Sequence, residues 1–508
     1  MFKKRVVAVM ALATGVALIA VHAQSATATQ SHLNKTEGQQ SEARLLRSTD
    51  PEASRFRAAG QLIAGSHCTA TLIAGSAEPA PDRRALILTA GHCVKDTMTT
   101  NEVITDQAAP ESWTYTPAFF IDTQAEHQSF PVARVLYASM KNRDLAVLEL
   151  DATYADLSRL NVAPMRLQTR PSYDGMPIEL VQIPVVGVPQ DEKFMRYASC
   201  SARRPTDIYE NYSPWFWKDA VANDCAGVSG GTSGSPVMAE GVDRVVGVLN
   251  TTVDRGYTGC GPGRPCEVAG SGHVAREGAS YYIPVDTVAL ALTPQGELDI
   301  HKLDQGDGIP LQRLHSGWDS QSCVPDEAGA CQVPRRDLAI DPQFELIRYK
   351  EGLATETICA DEWGYGLPLS VETQPLETLA MQPVEGIHML CAVGKRAGSD
   401  IWQSVANATM QLRKIDDTPP AQAPVIDVPF DEEDRWQVTA REAYHDTQVA
   451  VIKFGPSDET DCQDMDGYRW QRRGMLTTLA KSGAPWRFCA YGLDSAGNAS
   501  PIGFRDFR

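Results

Sequence analysis

Three side chains of this sequence stand in surroundings that suit nucleophilic hydrolysis: His92 closing ALILTAGHC, Asp144 within NRDLAVLEL and Ser233 within GGTSGSPV. A serine hydroxyl is a poor nucleophile at neutral pH. It needs a base to take its proton and a carboxylate to orient that base and stabilise the imidazolium. His92 reads as the base, Asp144 as the orienting acid and Ser233 as the nucleophile. Gly231, two residues before Ser233, lets the backbone turn without a side chain in the way, so that the N–H groups of Gly231 and Ser233 converge as an oxyanion hole. Each such donor lowers the barrier by about 3 to 4 kcal/mol.

The elements that must position these groups are short and β-like. His92 follows an apolar strand, Asp144 starts the alternating strand LAVLEL, and Gly230 and Gly234 keep the serine loop compact, with Pro236 ending it before PVMA. Glycine-bounded apolar segments of this kind run from about 58 to 292.

Four segments carry a family resemblance: CTATLI (68–73), LTAGHC (88–93), RDLAVLEL (143–150) and GTSGSP (231–236). They resemble the trypsin/chymotrypsin family, and within it the bacterial secreted branch typified by the staphylococcal glutamyl endopeptidase, which also carries a serine after SG. The resemblance implies a pair of antiparallel β-barrels, with His92 and Asp144 from the first, Ser233 from the second and the active site between them. It implies a Cys68–Cys93 disulfide, whose loop of about 26 residues contributes roughly 3 to 4 kcal/mol in the chain-entropy picture. Asn250, Thr251 and Thr252 would form the edge that pairs with an extended substrate. Val228 and Thr252 would lie near the primary pocket, which suggests an apolar or small side chain at the cleavage site. There are two departures. Thr232 replaces the Asp that receives the new amino terminus in animal zymogens, which excludes that activation route. Leu249 in GVLN stands where glutamyl endopeptidases carry a histidine, so glutamate preference is not supported.

The first 23 residues read as a secretory signal peptide, with Lys3, Lys4 and Arg5 ahead of an apolar run too short to span a membrane. Residues 24–57 read as a propeptide or flexible arm. Export exposes the 12 cysteines to an oxidising compartment, so six disulfides are expected. Cys200, Cys225, Cys260 and Cys266 allow three connectivities. Cys200 with Cys225 and Cys260 with Cys266 is favoured, because GCGPGRPCE looks like a tight local loop. A zinc set from His67, Cys68, His92 and Cys93 is disfavoured by export and because adjacent strand residues point to opposite faces. No metal or cofactor is required. The formal charge of −18 becomes about −21 without the leader's basic residues, which argues against a nucleic-acid partner.

At 508 residues the chain suits several domains. A protease domain over 58–293 is followed by a polar linker over 294–338, in which Cys323 and Cys331 can close a small loop. Two β-sandwich repeats follow at 339–417 and 421–508. FELIRYK with Cys359 and HMLCAVGKRAGS with Cys391 parallel VAVIKFG with Cys462 and WRFCAYGLDSAGN with Cys489, which suits one disulfide inside each copy. These copies look similar to the Ig-like or fibronectin-like repeats appended to bacterial secreted hydrolases, and are expected to be spacers or to bind a surface polymer or protein. The expected fold class is mainly β, a double antiparallel barrel followed by two small sandwiches. The expected function is a secreted serine endopeptidase acting on protein or peptide substrates through an acyl-enzyme, without a membrane anchor. The alternative is a non-catalytic binding or adhesion protein on a protease-like scaffold.

Overall fold

The computed structural model describes residues 43–210, 215–253, 260, 263–269, 272–313, 343–371, 381–441, 447, 449–472, 475–494 and 496–508, with four short pieces between 320 and 340. Residues 1–42, where the signal peptide is expected, and Cys323, with it the expected Cys323–Cys331 pairing, lie outside the described residues.

Six strands close the first barrel: β1 Ala59–Ile63, β2 His67–Ile73, β3 Arg84–Thr89, β4 Thr114–Pro117, β5 Phe130–Ser139 and β6 Leu145–Thr153. They pair around the ring as β5-β4-β1-β2-β3-β6, and β6 returns to β5. Leu145, Ala146, Val147 and Leu148 are all buried, so both faces of β6 are covered where the alternating sequence alone suggests one wet face.

The second barrel comprises β7 Pro177–Gln182, β8 Arg196–Glu210, β9 Trp215–Asn223, β10 Pro236–Ala239, β11 Arg244–Thr252 and β12 Ser280–Pro284. The ring runs β7-β10-β11-β12-β9-β8 and closes by β8 pairing with β7. Closure leaves few open edges. A short helix, Asp286–Ala291, follows.

Residues 43–57, expected to belong to a propeptide or flexible arm, are packed into the body, which rules out the flexible arm for this stretch. Arg44 and Leu45 pair with Tyr197 and Arg196 of β8, and Leu46, Ala53 and Phe56 sit in the main core. Three apolar side chains spread over eleven otherwise mostly polar residues leave a composition that hides this burial.

The C-terminal part forms two small β modules. Phe344–Leu353, Gly386–Arg396 and Thr409–Ile415 are the long strands of the first. The second is a two-sheet sandwich of three strands and four. The duplication extends to detail: Tyr365 donates to the Cys359 carbonyl at 2.9 Å as Tyr468 does to that of Cys462 at 3.0 Å, and Lys350 and Lys453 lie over those two rings. Trp363 and Trp470 are exposed, whereas Trp402 is half-buried beneath the Arg348 guanidinium.

The first module packs directly on the barrels. Asn101 exchanges two hydrogen bonds with the backbone of Met410, at 2.6 and 2.8 Å. In the stretch expected to be linker, Asp304 pairs with buried Lys141 at 2.6 Å and Ile309 is fully buried.

Candidate active site

His92 occupies the single 3-10 turn Gly91–Cys93 that follows β3, and Asp144 immediately precedes β6. Pairing of β3 with β6 places Thr89 opposite Ala146, which draws the two ends together. Asp144 is fully buried. Its Oδ2 lies 2.6 Å from His92 Nδ1 and its Oδ1 accepts the His92 backbone N–H at 2.9 Å. A carboxylate can only accept, so the proton of the neutral imidazole sits on Nδ1 and Nε2 is left as the base. Gly91 permits this approach: a Cβ there would fall 2.3 Å from the Ser139 carbonyl oxygen and 2.9 Å from Asp144 Oδ1. Burial pulls the His92 pKa down, but Asp144, by charge and hydrogen bond, and Glu210, by charge, outweigh it, and the imidazole is held above its ordinary value.

Ser233 belongs to the loop between β9 and β10. Thr232, where a zymogen Asp was absent from the sequence, ties this loop to itself: its hydroxyl donates to the Ser229 carbonyl at 2.7 Å and its N–H to the same oxygen at 3.1 Å. Among the described residues, the N–H groups of Thr232, Gly234 and Ser235 have protein acceptors, and those of Gly231 and Ser233 have none. Gly231 has φ +99° and Gly234 φ +84°. A Cβ on Gly234 would fall 2.1 Å from the Thr69 carbonyl oxygen.

Thr69 joins the two halves and was not singled out from sequence. Its N–H donates to the Ser233 carbonyl at 2.8 Å and its hydroxyl to that of Gly231 at 3.2 Å. It follows Cys68, which is bonded to Cys93 beside His92. The Ser233 loop and His92 therefore hang on one anchored strand. With both sulfurs in that bond, the cluster of Cys68, His92 and Cys93 has no thiolates to offer zinc. Cys200–Cys225, Cys260–Cys266, Cys359–Cys391 and Cys462–Cys489 pair as favoured from the sequence.

Asn250, Thr251 and Thr252 end β11. β10 accompanies β11 only as far as Pro236 opposite Val248. Past that point β12 pairs with Thr251 and Thr252 on one side, and among the described residues no strand pairs on the other. The Ser233 hydroxyl donates to the Asn250 carbonyl at 3.4 Å. The Asn250 amide nitrogen is buried without a protein acceptor. Thr252 bonds Ala279 and Ser280 through its hydroxyl, and Val228 is half-buried against the second barrel's core.

One further group stands in this site. Glu210, at the end of β8, is buried, and its carboxyl accepts from the Thr251 hydroxyl and the Gly263 N–H. A single acid ahead of a polar turn reads in sequence as a solvated loop residue, and only the barrel closure turns it inward.

With this geometry in view, residues 68–248 match the family of trypsin-like peptidase domains. The match spans about a third of the chain and contains all three proposed catalytic residues. No curated protein sequence matches the chain significantly. Solved structures similar to it include human heparin binding protein (17% identity, 48% of this chain and 91% of that one, TM-score 0.31). A scabies mite inactivated protease paralogue matches at 16% identity over 46% and 92%, TM-score 0.31. Mouse neuropsin, a serine protease, matches at 15% over 47% and 93%, TM-score 0.29.

Proposed function

We propose that this chain is an exported serine endopeptidase that cleaves peptide bonds through an acyl-enzyme on Ser233. The observation that carries the reading is the buried Asp144 carboxylate holding both the ring and the backbone of His92, with the Ser233 loop fastened to the same wall by Thr69. Ser233 Oγ attacks the scissile carbonyl while His92 Nε2 takes its proton, and Asp144 stabilises the imidazolium. The oxyanion falls to the N–H groups of Gly231 and Ser233, which the protein leaves without acceptors. His92 then protonates the leaving amine, and water repeats the sequence to release the acid. The unpaired end of β11 suits strand addition by an extended peptide.

Val228 and Thr252 support a preference for a small or apolar side chain. The glutamyl-endopeptidase likeness stops at the serine loop, since Leu249 is buried in the core where a histidine would have to reach a substrate carboxylate. The two-sheet form of the second module supports a fibronectin-like reading of the repeats, and exposed Trp363 and Trp470 suit contact with a surface polymer or protein.

A non-catalytic scaffold is favoured by one observation, the Ser233 hydroxyl directed at Asn250 rather than at His92. Catalytic hydrogen bonds are often long or poorly aligned without substrate and tighten in its complex. Ser233→Ala should lower turnover by about six orders of magnitude and Asp144→Asn by about four. Wild-type proteolysis by purified Ser233→Ala would refute the assignment.

A further inference from the structure

The Glu210 side chain ties together parts of the chain that are far apart in sequence. Its Oε1 accepts from Thr251 Oγ1 at 3.0 Å and its Oε2 from the Gly263 N–H at 2.8 Å. Thr251 belongs to the free end of β11, and Gly263 to the loop closed by Cys260–Cys266. The β8–β9 hairpin that carries Glu210 also abuts the segment leading to Asp144: Trp217 Nε1 donates to the Met140 carbonyl at 3.2 Å and the Lys218 N–H to that of Asn142 at 3.3 Å.

The first C-terminal module grips this same hairpin. Tyr209 and Phe216, which face each other across the hairpin next to Glu210, are buried in one apolar cluster with Ile387, Met389, Cys391 and Leu412 of the module. Lys218 Nζ adds a bond to the Thr355 carbonyl at 3.3 Å.

We propose that Glu210 is a positioning residue of the peptidase site, fixing the strand edge that receives the substrate relative to His92 and Asp144, and that the first module is part of the device because it clamps the hairpin. The proposal rests on the peptidase reading above. The carboxyl thus joins the β11 edge and the Cys260–Cys266 loop to a hairpin that itself abuts the segment leading to Asp144, and its charge and those of His92 and Asp144 act on one another. Charged groups on the surrounding elements are engaged elsewhere: Arg143 with Asp219, Lys218 with Asp207, Arg276 with Glu267 and, in the module, His388 with Glu351. Arg264, next to Gly263 in the chain, also has interactions of its own. His92 and Asp144 are thus the partners through which Glu210 acts on the chemistry.

The test compares full-length wild type with Glu210→Gln, Glu210→Asp, Thr251→Val and the module variants Leu412→Ala and Leu412→Met, each measured for kcat and KM across pH and for labelling by an organophosphonate. Glu210→Gln and Thr251→Val should raise KM about tenfold while lowering kcat less, and Leu412→Ala should follow them although it lies outside the peptidase domain. Leu412→Met and Glu210→Asp should recover much of the loss. Glu210→Gln alone should move the acid limb of kcat/KM to lower pH, because a partly ionised carboxyl that favours the imidazolium is gone. Wild-type KM and an unmoved limb in a Glu210→Gln protein that still labels would overturn the proposal and leave the peptidase standing. Wild type that folds and does not label removes both. If Glu210→Gln fails to fold, Thr251→Val decides, and wild-type KM in that variant counts against.

Discussion

Asp144 and Glu210 are both buried carboxyl groups near one imidazole, and their surroundings give them different work. Asp144 accepts two bonds from His92 itself, which fixes the tautomer. Glu210 is pushed up to about 7, mainly by burial, with the hydrogen bonds from Gly263 and Thr251 and the charge of His92 opposing the rise and the charge of Asp144 adding to it. Two consequences are measurable. Because the His92 pKa lies above its ordinary 6.5, the acid limb of kcat/KM should fall above pH 6.5, and a profile flat from about pH 4 to 9 would contradict the proposed base. The second concerns stability. Glu210 ionises near 4.5 unfolded and near 7 folded, so between those values the folded chain holds the extra proton. Stability from this group is therefore full below about 4.5 and is lost as pH rises towards and through 7, by up to roughly 3 kcal/mol. In denaturant titrations, Glu210→Gln should gain on wild type between pH 5 and 8; a constant difference would show that Glu210 does not titrate there. Retaining a charge in that place at a cost to stability is what a functional group does.

For strands and loops, the decisive contacts are those of β2. Thr69 meets the serine loop and Cys68 pins the histidine turn, so β2 holds Ser233 and His92 relative to each other. Replacing Cys68 and Cys93 together by Ala should lower unfolding free energy by roughly 3 kcal/mol and reduce kcat as well. Loss of stability with unchanged kcat would mean that the disulfide serves the fold alone. Gly234→Ala meets both a positive φ and the Thr69 carbonyl, and should abolish turnover in a chain whose C-terminal modules remain folded. The sequence revealed the residues inside these elements because His92, Asp144 and Ser233 each sit in a local string with its own turn chemistry. Thr69 and Glu210 were not legible, since their importance comes from partners 162 and 41 positions away. The packing of residues 43–57 is hidden for a related reason: Leu46 and Phe56 are buried in the main core beside β8, and nothing nearby in sequence announces that.

Across the full chain, the first module is joined to the barrels by a shared core, the Asn101 bonds and the Lys218–Thr355 bond, which makes it a part of the barrel body where the sequence suggests a spacer behind a linker. The paired cysteines of both repeats were readable from their duplicated spacing, whereas the packing of one repeat on a protease hairpin was not, because Tyr209 and Phe216 look like ordinary strand residues. With a formal charge of −18, the protein should pass through a heparin column at low salt, in keeping with an acidic surface that repels polyanions; retention would reveal a basic patch that the net charge conceals. All of this depends on an activated serine. Intact-mass measurement after treatment with an organophosphonate tests that most directly: the account predicts one adduct per chain, on Ser233, formed more slowly as His92 is protonated and absent from Ser233→Ala. Folded wild-type protein that stays unlabelled, or labels equally well without Ser233, would contradict it.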